Sequence, residues 1–149
     1  MGKKRVIQQT EEELIQETTE IEQKLQGDVK VAKSGLREGR IYIKSTYNNT
    51  IMTLTDDKGN TIAWVSAGKI GFKGTKKGTP FAASKVAEAL SAAIEKAKVS
   101  KVMIYIQGVG TGRDTALRTL AGRNIDIIGI KDITPIRHGG CRPPKVRRV

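Results

Sequence analysis

Cysteine is nearly absent from this sequence of 149 residues, in which Cys141 is the only one. A single cysteine excludes an internal disulfide framework and a zinc site built from cysteines alone. Apolar runs are a few residues long against the ~20 that a membrane span needs, so we expect no membrane segment. No stretch joins a basic start to an apolar region, so we also expect no secretory signal. These absences predict a cytosolic protein.

Acidic residues are scarce beside basic ones, 15 against 27, which gives a net charge of +12. Residues 1–40 hold eight groups of each sign, so the whole excess lies in residues 41–149. The hydrophobic fraction of 38% is enough for a core, and the length fits one domain with an appendage. A strongly basic domain favours a polyanionic partner, of which nucleic acid is the commonest.

The charge pattern divides the chain into an N-terminal extension over 1–38, an α/β domain over 39–133 and an extended basic tail over 134–149. The extension contains a predicted acidic helix over about 10–26, because Thr10 and Glu13 form a capping-box pattern and apolar residues then recur at helical spacing. This helix either faces a protein, be it the basic domain or a neighbour, or is solvated and partly formed. Its narrow apolar stripe favours the second interpretation.

Alternating apolar residues predict five strands, over 41–47, 50–55, 61–67, 101–107 and 124–131. Short turns make the first three an antiparallel meander. Thr79 and Pro80 begin a helix between strands 3 and 4, and a shorter helix that ends near Gly122 precedes strand 5. Right-handed parallel crossovers then predict an α/β fold with sheet order 3-2-1-4-5, strand 2 antiparallel, and both helices on one face. The opposite face carries Tyr42, Lys44 and Thr46, polar enough to meet RNA or water.

Two glycine-containing segments are candidate anion-binding loops. Residues 68–78 combine four lysines with four glycines, which supply phosphate contacts and close backbone approach; Phe72 either stacks on a base or plugs the edge of the domain. Residues 108–112 lead into a helix and are either an anion site completed by Arg113 or a plain tight turn. Neither a dinucleotide fingerprint nor a Walker loop is present, so we expect no nucleotide cofactor.

Catalytic constellations are also missing. Two-metal nuclease chemistry needs convergent carboxylates, and only Asp114 and Asp126 remain outside the turns of the predicted sheet. His138 and Cys141 give two ligands where structural zinc takes four, so no metal site is predicted. The residues from Thr134 onward contain five basic side chains and no acid. This tail either orders against RNA or is a solubilising end, and its charge favours binding.

Several ordered motifs resemble the small-subunit ribosomal protein eleven family in its bacterial form, over about residues 33–149. They are Tyr47-Asn48-Asn49-Thr50-Ile51, Ser66-Ala67-Gly68, Gly71-Phe72-Lys73-Gly74, Thr79-Pro80-Phe81-Ala82-Ala83, Gly108-Val109-Gly110-Thr111-Gly112-Arg113, Asp132-Ile133-Thr134-Pro135-Ile136 and Gly140-Cys141-Arg142-Pro143-Pro144-Lys145. The resemblance implies a ribonuclease H-like motif without its active site. It also implies a structural, non-enzymatic protein of the 30S platform that binds 16S rRNA, supports assembly and shapes the cleft for Shine-Dalgarno pairing of the mRNA.

The resemblance further implies platform proteins six, seven, eighteen and twenty-one as neighbours, with no cofactor, no membrane and no homo-oligomer. The rRNA-contacting residues carried over by position are Asn48, Asn49, Lys69, Lys73, Lys76, Lys77, Arg113, Arg118, Arg123, His138, Arg142, Lys145, Arg147 and Arg148.

Three departures stand out. Arg137-His138-Gly139-Gly140 replaces the usual Pro-His-Asn-Gly, Gly78 replaces Ser, and the acidic helix replaces a short basic arm. Two alternative functions compete with this one. The missing carboxylates and glycine fingerprint argue against a nuclease or nucleotide-dependent enzyme, whereas the composition is compatible with a free-standing regulator of mRNA.

Overall fold

The computed structural model describes residues 38–142 together with Thr19 and Pro144. Apart from Thr19, the acidic helix expected over 10–26 lies outside the described residues. The same holds for Lys145, Arg147 and Arg148 at the end of the predicted tail. The α/β domain is therefore described from its first strand to the first part of the tail.

Five strands form one mixed sheet in the order β3-β2-β1-β4-β5. The β1–β2 and β2–β3 pairs are antiparallel, and the β1–β4 and β4–β5 pairs are parallel, which confirms the predicted topology. The strands are β1 Glu38–Ser45, β2 Thr50–Thr55, β3 Thr61–Ser66, β4 Lys101–Gln107 and β5 Asp126–Asp132. β1 begins three residues earlier than predicted because Glu38, Gly39 and Arg40 extend its ladder with β4.

Two long helices cover one face of this sheet. They are preceded by a short helix, and the three are α1 Ala67–Ile70, α2 Pro80–Ala97 and α3 Gly112–Ala121. α2 begins as predicted, because the Thr79 hydroxyl accepts a hydrogen bond from the amide of Ala82 at 3.2 Å and Pro80 takes the first helical position. α2 packs on β2 and β3, and α3 packs on α2 and β1.

The core lies between the helices and the sheet. Alternate residues of the central strands, Ile41, Ile43, Ile104 and Ile106, are buried beneath α2 and α3. The small alanine side chains of α2 let its axis approach the sheet closely, as the buried face of the helix indicates. The opposite face has no helix over it among the described residues, and it carries Tyr42 and Lys44 as predicted. Thr46 instead lies in the turn after β1.

The segment over 68–78, which the sequence predicts to be a loop, is largely helical in the structure. It contains α1 and a 3-10 helix, Gly74–Gly78. The Ser66 hydroxyl caps α1 by accepting from the amide of Lys69, and Gly71 ends the helix at a φ of 117°. Phe72 is buried and makes an edge contact with Phe81 at 6.0 Å between ring centroids. Of its two predicted roles, the structure therefore selects the plug, because the buried ring cannot stack on a base.

None of the helices in the described part of the chain is both long and apolar enough to cross a membrane.

Candidate nucleic-acid interface

Four connections meet where β1, β3, β4 and β5 end. We call this edge of the domain the basic end and define it by residues 46–49, 68–78, 108–113 and 132–142. The Thr111 hydroxyl donates to the Gly78 carbonyl at 2.9 Å, and the Gly110 amide donates to the Ser45 carbonyl at 3.2 Å. The Ile133 amide donates to the Ile106 carbonyl at 2.9 Å, so the tail leaves the sheet at this same edge.

Glycine is required where two of these connections touch. A Cβ on Gly78 would overlap the backbone carbonyl of Tyr47, and a Cβ on Gly110 would overlap the hydroxyl of Ser45 and the carbonyl of Thr46. Close backbone approach therefore holds the β1–β2 turn against the connection that contains Gly78 and the connection that contains Gly110. The predicted contact residues Asn48, Asn49 and the lysines of 68–78 are brought together by this packing.

The turn at Asn48 and Asn49 closes without a left-handed residue, although asparagine tolerates that conformation. Neither Asn48 nor Asn49 adopts a positive φ, and Lys98 is the only non-glycine residue that does so among those described. Instead the amide of Thr46 donates to the carbonyl of Asn49 at 2.9 Å, and the Asn49 side chain accepts from the Thr50 amide at 3.0 Å. Asn49 shapes the turn, which leaves the exposed Asn48 as its tip.

The four lysines of the basic end have different surroundings. The ammonium of Lys69 donates a hydrogen bond to the Trp64 carbonyl at 3.3 Å and lies 4.7 Å from the centre of the Trp64 ring. Lys73 and Lys76 are exposed at the start and in the last turn of the 3-10 helix, and Lys77 is half-buried beside them. Lys73 and Lys76 are therefore placed best for phosphate contacts.

Arg113 is held within the protein. Its guanidinium forms a 2.7 Å ion pair with Asp132 and donates to the Gly108 carbonyl at 3.1 Å. The Thr134 hydroxyl and amide both donate to the Asp132 carboxylate, at 2.6 and 2.8 Å. The hydrogen bond from the Thr134 hydroxyl, followed by that from Arg113, lowers the pKa of Asp132 to about 2.

The amides of the 108–112 connection serve the fold. Gly108 donates to the Thr134 hydroxyl at 3.1 Å, and Gly110 donates to Ser45. Gly112 is buried against Ala83 and Thr50, where an added Cβ would lie 2.7 and 2.8 Å from the nearest side-chain atoms. Because two of its amides are already bonded internally, this connection fits the tight-turn interpretation better than the anion-site interpretation.

Arg118 and Arg123 lie away from the basic end. α3 runs from Gly112 towards the opposite edge of the sheet, so the exposed Arg118 lies along the domain and Arg123 beyond its far end. Arg123 pairs with Glu88 at 3.6 Å. The structure thus separates these two arginines from the lysines with which the sequence grouped them.

Residues 135–142 of the tail are exposed, including His138, Cys141 and Arg142. Gly139 and Gly140 both adopt positive φ angles, 71° and 97°, so the two glycines that follow His138 sit in backbone conformations suited to glycine. No group of three or more His, Cys, Asp or Glu side chains in the described residues is arranged to hold a metal ion.

Sequence reasoning missed two aromatic residues on the open face of the sheet. Tyr105 stacks on Tyr42 with ring centroids 5.0 Å apart, and Trp64 is half exposed. Their positions alternate with buried neighbours, Ile104 and Ile106 in β4 and Ala63 and Val65 in β3. The period of two in each strand was the available signal.

Comparison with known proteins identifies relatives of this chain. The family model for ribosomal protein S11 matches residues 39–148. The small ribosomal subunit protein uS11 of Endomicrobium trichonymphae is 56% identical over 110 residues, which cover 74% of this chain and 84% of the relative. The protein of the same name from a Nitratiruptor species is 49% identical over 121 residues, covering 80% and 93%. The chain therefore belongs to the ribosomal protein S11 family.

Proposed function

We propose that this chain binds 16S rRNA on the platform of the small subunit, supports assembly there and lines the cleft that holds the Shine-Dalgarno pairing. Family membership makes it a structural protein of the small subunit that works in the cytoplasmic ribosome in association with rRNA, and not an enzyme. The neighbours we propose are platform proteins six, seven, eighteen and twenty-one, with mRNA close by.

The observation that supports this proposal is the polarity of the domain along its strands. The basic end holds four lysines in 68–78 and Arg137 and Arg142 in the tail. Its acid is Asp132, which Arg113 neutralises, and Asp114 follows just outside it in the first turn of α3. At the opposite end of the strands, the acids Glu38, Asp56, Asp57, Glu95 and Asp126 are balanced by the bases Lys58, Lys96, Lys98, Lys101 and Arg123. A phosphate backbone is therefore attracted to one end of the molecule.

The 14 predicted rRNA contacts remain a proposal. Their exposure and their position in the domain indicate which of them are best placed to reach RNA. Asn48, Lys73, Lys76, His138 and Arg142 are exposed at the basic end, and Lys69, Lys77 and Asn49 lie beside them. Arg113 acts by positioning the tail through Asp132, and Arg118 and Arg123 contact RNA only if it extends along α3. Binding through ~6–10 phosphates should give a slope of log affinity against log salt near −0.9 per contact, or less on irregular RNA. A flat response would contradict an electrostatic interface.

A tethered cleavage reagent tests which end of the domain faces rRNA. Cys141 is the only cysteine and is exposed, so an iron chelate attached there generates hydroxyl radicals at the basic end. The matched control carries Cys141→Ser and Lys58→Cys, which moves the chelate to the β2–β3 turn at the opposite edge. We expect strong cleavage of platform segments of 16S rRNA from position 141 and weak cleavage from position 58. The reverse pattern would overturn the proposal.

A further inference from the structure

The open face of the sheet carries one continuous row of side chains across all five strands. Register pairs Trp64 with Thr53, Thr53 with Tyr42, Tyr42 with Tyr105, and Tyr105 with Lys131. All of these side chains are at least partly exposed. The row has no covering element among the described residues.

Thr53 is the only residue between Trp64 and Tyr42 in this row, and its side chain is much smaller than either ring. Strands lie ~4.8 Å apart, so the backbones of the two flanking residues are separated by about 10 Å across the sheet. A flat ring inserted between two others needs two contacts of about 3.5 Å each, or about 7 Å. The strand spacing therefore leaves room for one base above Thr53, and we call that space the slot, with Thr53 as its floor and the two aromatic residues as its walls.

Charge on this face changes along the strands. Lys44 and Lys131 are exposed in the half nearest the basic end, and the Lys69 ammonium lies on the Trp64 ring. The acids Glu38 and Asp126 lie at the other end, on either side of Lys101, which is opposite both of them in the strand register. Lys69 belongs to the basic end and touches the row, so the row and the proposed rRNA interface form one surface.

We propose that the open face binds an unpaired RNA segment, with one base held between Trp64 and Tyr42 above Thr53. This inference rests on the proposed function and extends it from phosphate contacts to base stacking. Aromatic side chains on a sheet are a general way to bind single-stranded RNA, because every base has a face that stacks. Lys44, Lys69 and Lys131 supply the flanking phosphate contacts.

Fluorescence of Trp64 reports stacking directly, because it is the only tryptophan in the chain. The probe is an unstructured RNA hexamer, hexauridylate or hexaadenylate, titrated into the full chain at low salt. We expect the emission to be quenched as a base stacks on the indole ring. A blunt-ended RNA duplex is the control probe, because it can bind the basic end but offers no unpaired base, and we expect it to quench the emission far less than the hexamer does.

Two substitutions at the floor of the slot separate stacking from other effects. Thr53→Tyr fills the slot with a residue that strands favour, and we expect it to abolish quenching and weaken hexamer binding about tenfold. Thr53→Val keeps the shape of the side chain and leaves quenching intact. Tyr42→Leu removes one aromatic wall and reduces quenching. Circular dichroism of each variant confirms that the sheet is retained.

Three results would overturn the inference. The first is equal quenching in wild type and Thr53→Tyr. The second is hexamer binding, measured by anisotropy, with unchanged Trp64 emission, which would confine RNA to the basic end and leave the proposed function standing. The third is quenching by a synthetic peptide of residues 10–26 and not by RNA, which would assign the face to the acidic segment. Failure of the duplex to bind as well would count against the proposed function itself.

Discussion

Arg113, at the start of α3, and Asp132, at the end of β5, form a 2.7 Å ion pair that fixes the beginning of the tail. Thr134 donates twice to the same carboxylate and accepts from the Gly108 amide. The tail is thereby joined to the connection between β4 and α3. Arg113, a predicted rRNA contact, is thereby also placed to set the direction in which the basic tail leaves the domain.

Replacing Asp132 should change how stability depends on pH. The pKa of Asp132 is lowered from 3.8 to about 2 in the folded chain by Thr134 and Arg113, so its ionised form stabilises the fold above about pH 4. That contribution is lost as the pH falls from about 4 to about 2. We expect Asp132→Asn to melt below wild type at pH 6, with the difference vanishing near pH 2. Asp126→Asn, on the same strand, is the control. A difference in melting temperature between Asp132→Asn and wild type that stays constant at every pH would contradict this prediction.

Gly112→Ala should destabilise the domain by about 1–3 kcal/mol through overpacking. The new Cβ would lie 2.7 Å from the Cβ of Ala83 and 2.8 Å from the Thr50 hydroxyl, and neither atom can rotate away freely. Gly122→Ala is the matched control, because its Cβ meets atoms at 3.5 Å or more and its φ is −76°. Urea unfolding followed by circular dichroism measures both, and equal stabilities would refute the packing argument.

Lys73→Ala with Lys76→Ala should weaken binding to 16S rRNA and to unrelated RNA alike. These lysines are exposed at the basic end, and a phosphate contact contributes without regard to sequence. We expect the slope of log affinity against log salt to fall by about one per lost contact. Lys58→Ala with Lys101→Ala removes the same charge from the opposite edge. Filter binding in a salt series should show little change in RNA affinity for that pair. A loss of affinity equal to that of the first pair would mean that RNA binding depends on net charge alone and not on the position of the lysines.

Deleting residues 137–149 should weaken rRNA binding and leave the domain folded. The deletion spares the Asp132–Thr134 contacts and every strand, but it removes five basic side chains. A variant with those five residues changed to glutamine separates charge from chain length and should behave like the deletion. Affinity equal to wild type after the deletion would show that the tail does not contact RNA.

Local chemistry and crossover rules were enough to predict the sheet. β2 and β4 have the predicted bounds, because a turn or a helix cap marks each end. The sheet order followed from placing helices between the last three strands. The short helix α1 was missed because its four residues are held by the Ser66 cap and Gly71, and four residues carry no helical periodicity.

The site was harder to predict because its contacts are distant in sequence. The partner of Arg113 is 19 residues away, and Phe72 is buried against Phe81 rather than turned towards solvent. The lysines of 68–78 look alike in sequence, yet the position of Trp64 in β3 brings its ring into contact with Lys69. Such distinctions depend on which elements pack together, and the spacing of charges does not show it.

Sedimentation of the protein in a native lysate tests the central claim most directly. A sucrose gradient is probed for the chain before and after a high-salt wash, alongside the variant with Lys73→Ala and Lys76→Ala and the tail deleted. We expect the wild-type chain to stay with the 30S peak after the wash and the variant to be released to the top. Wild-type protein at the top of the gradient before any wash would contradict the account and favour a free-standing regulator of mRNA.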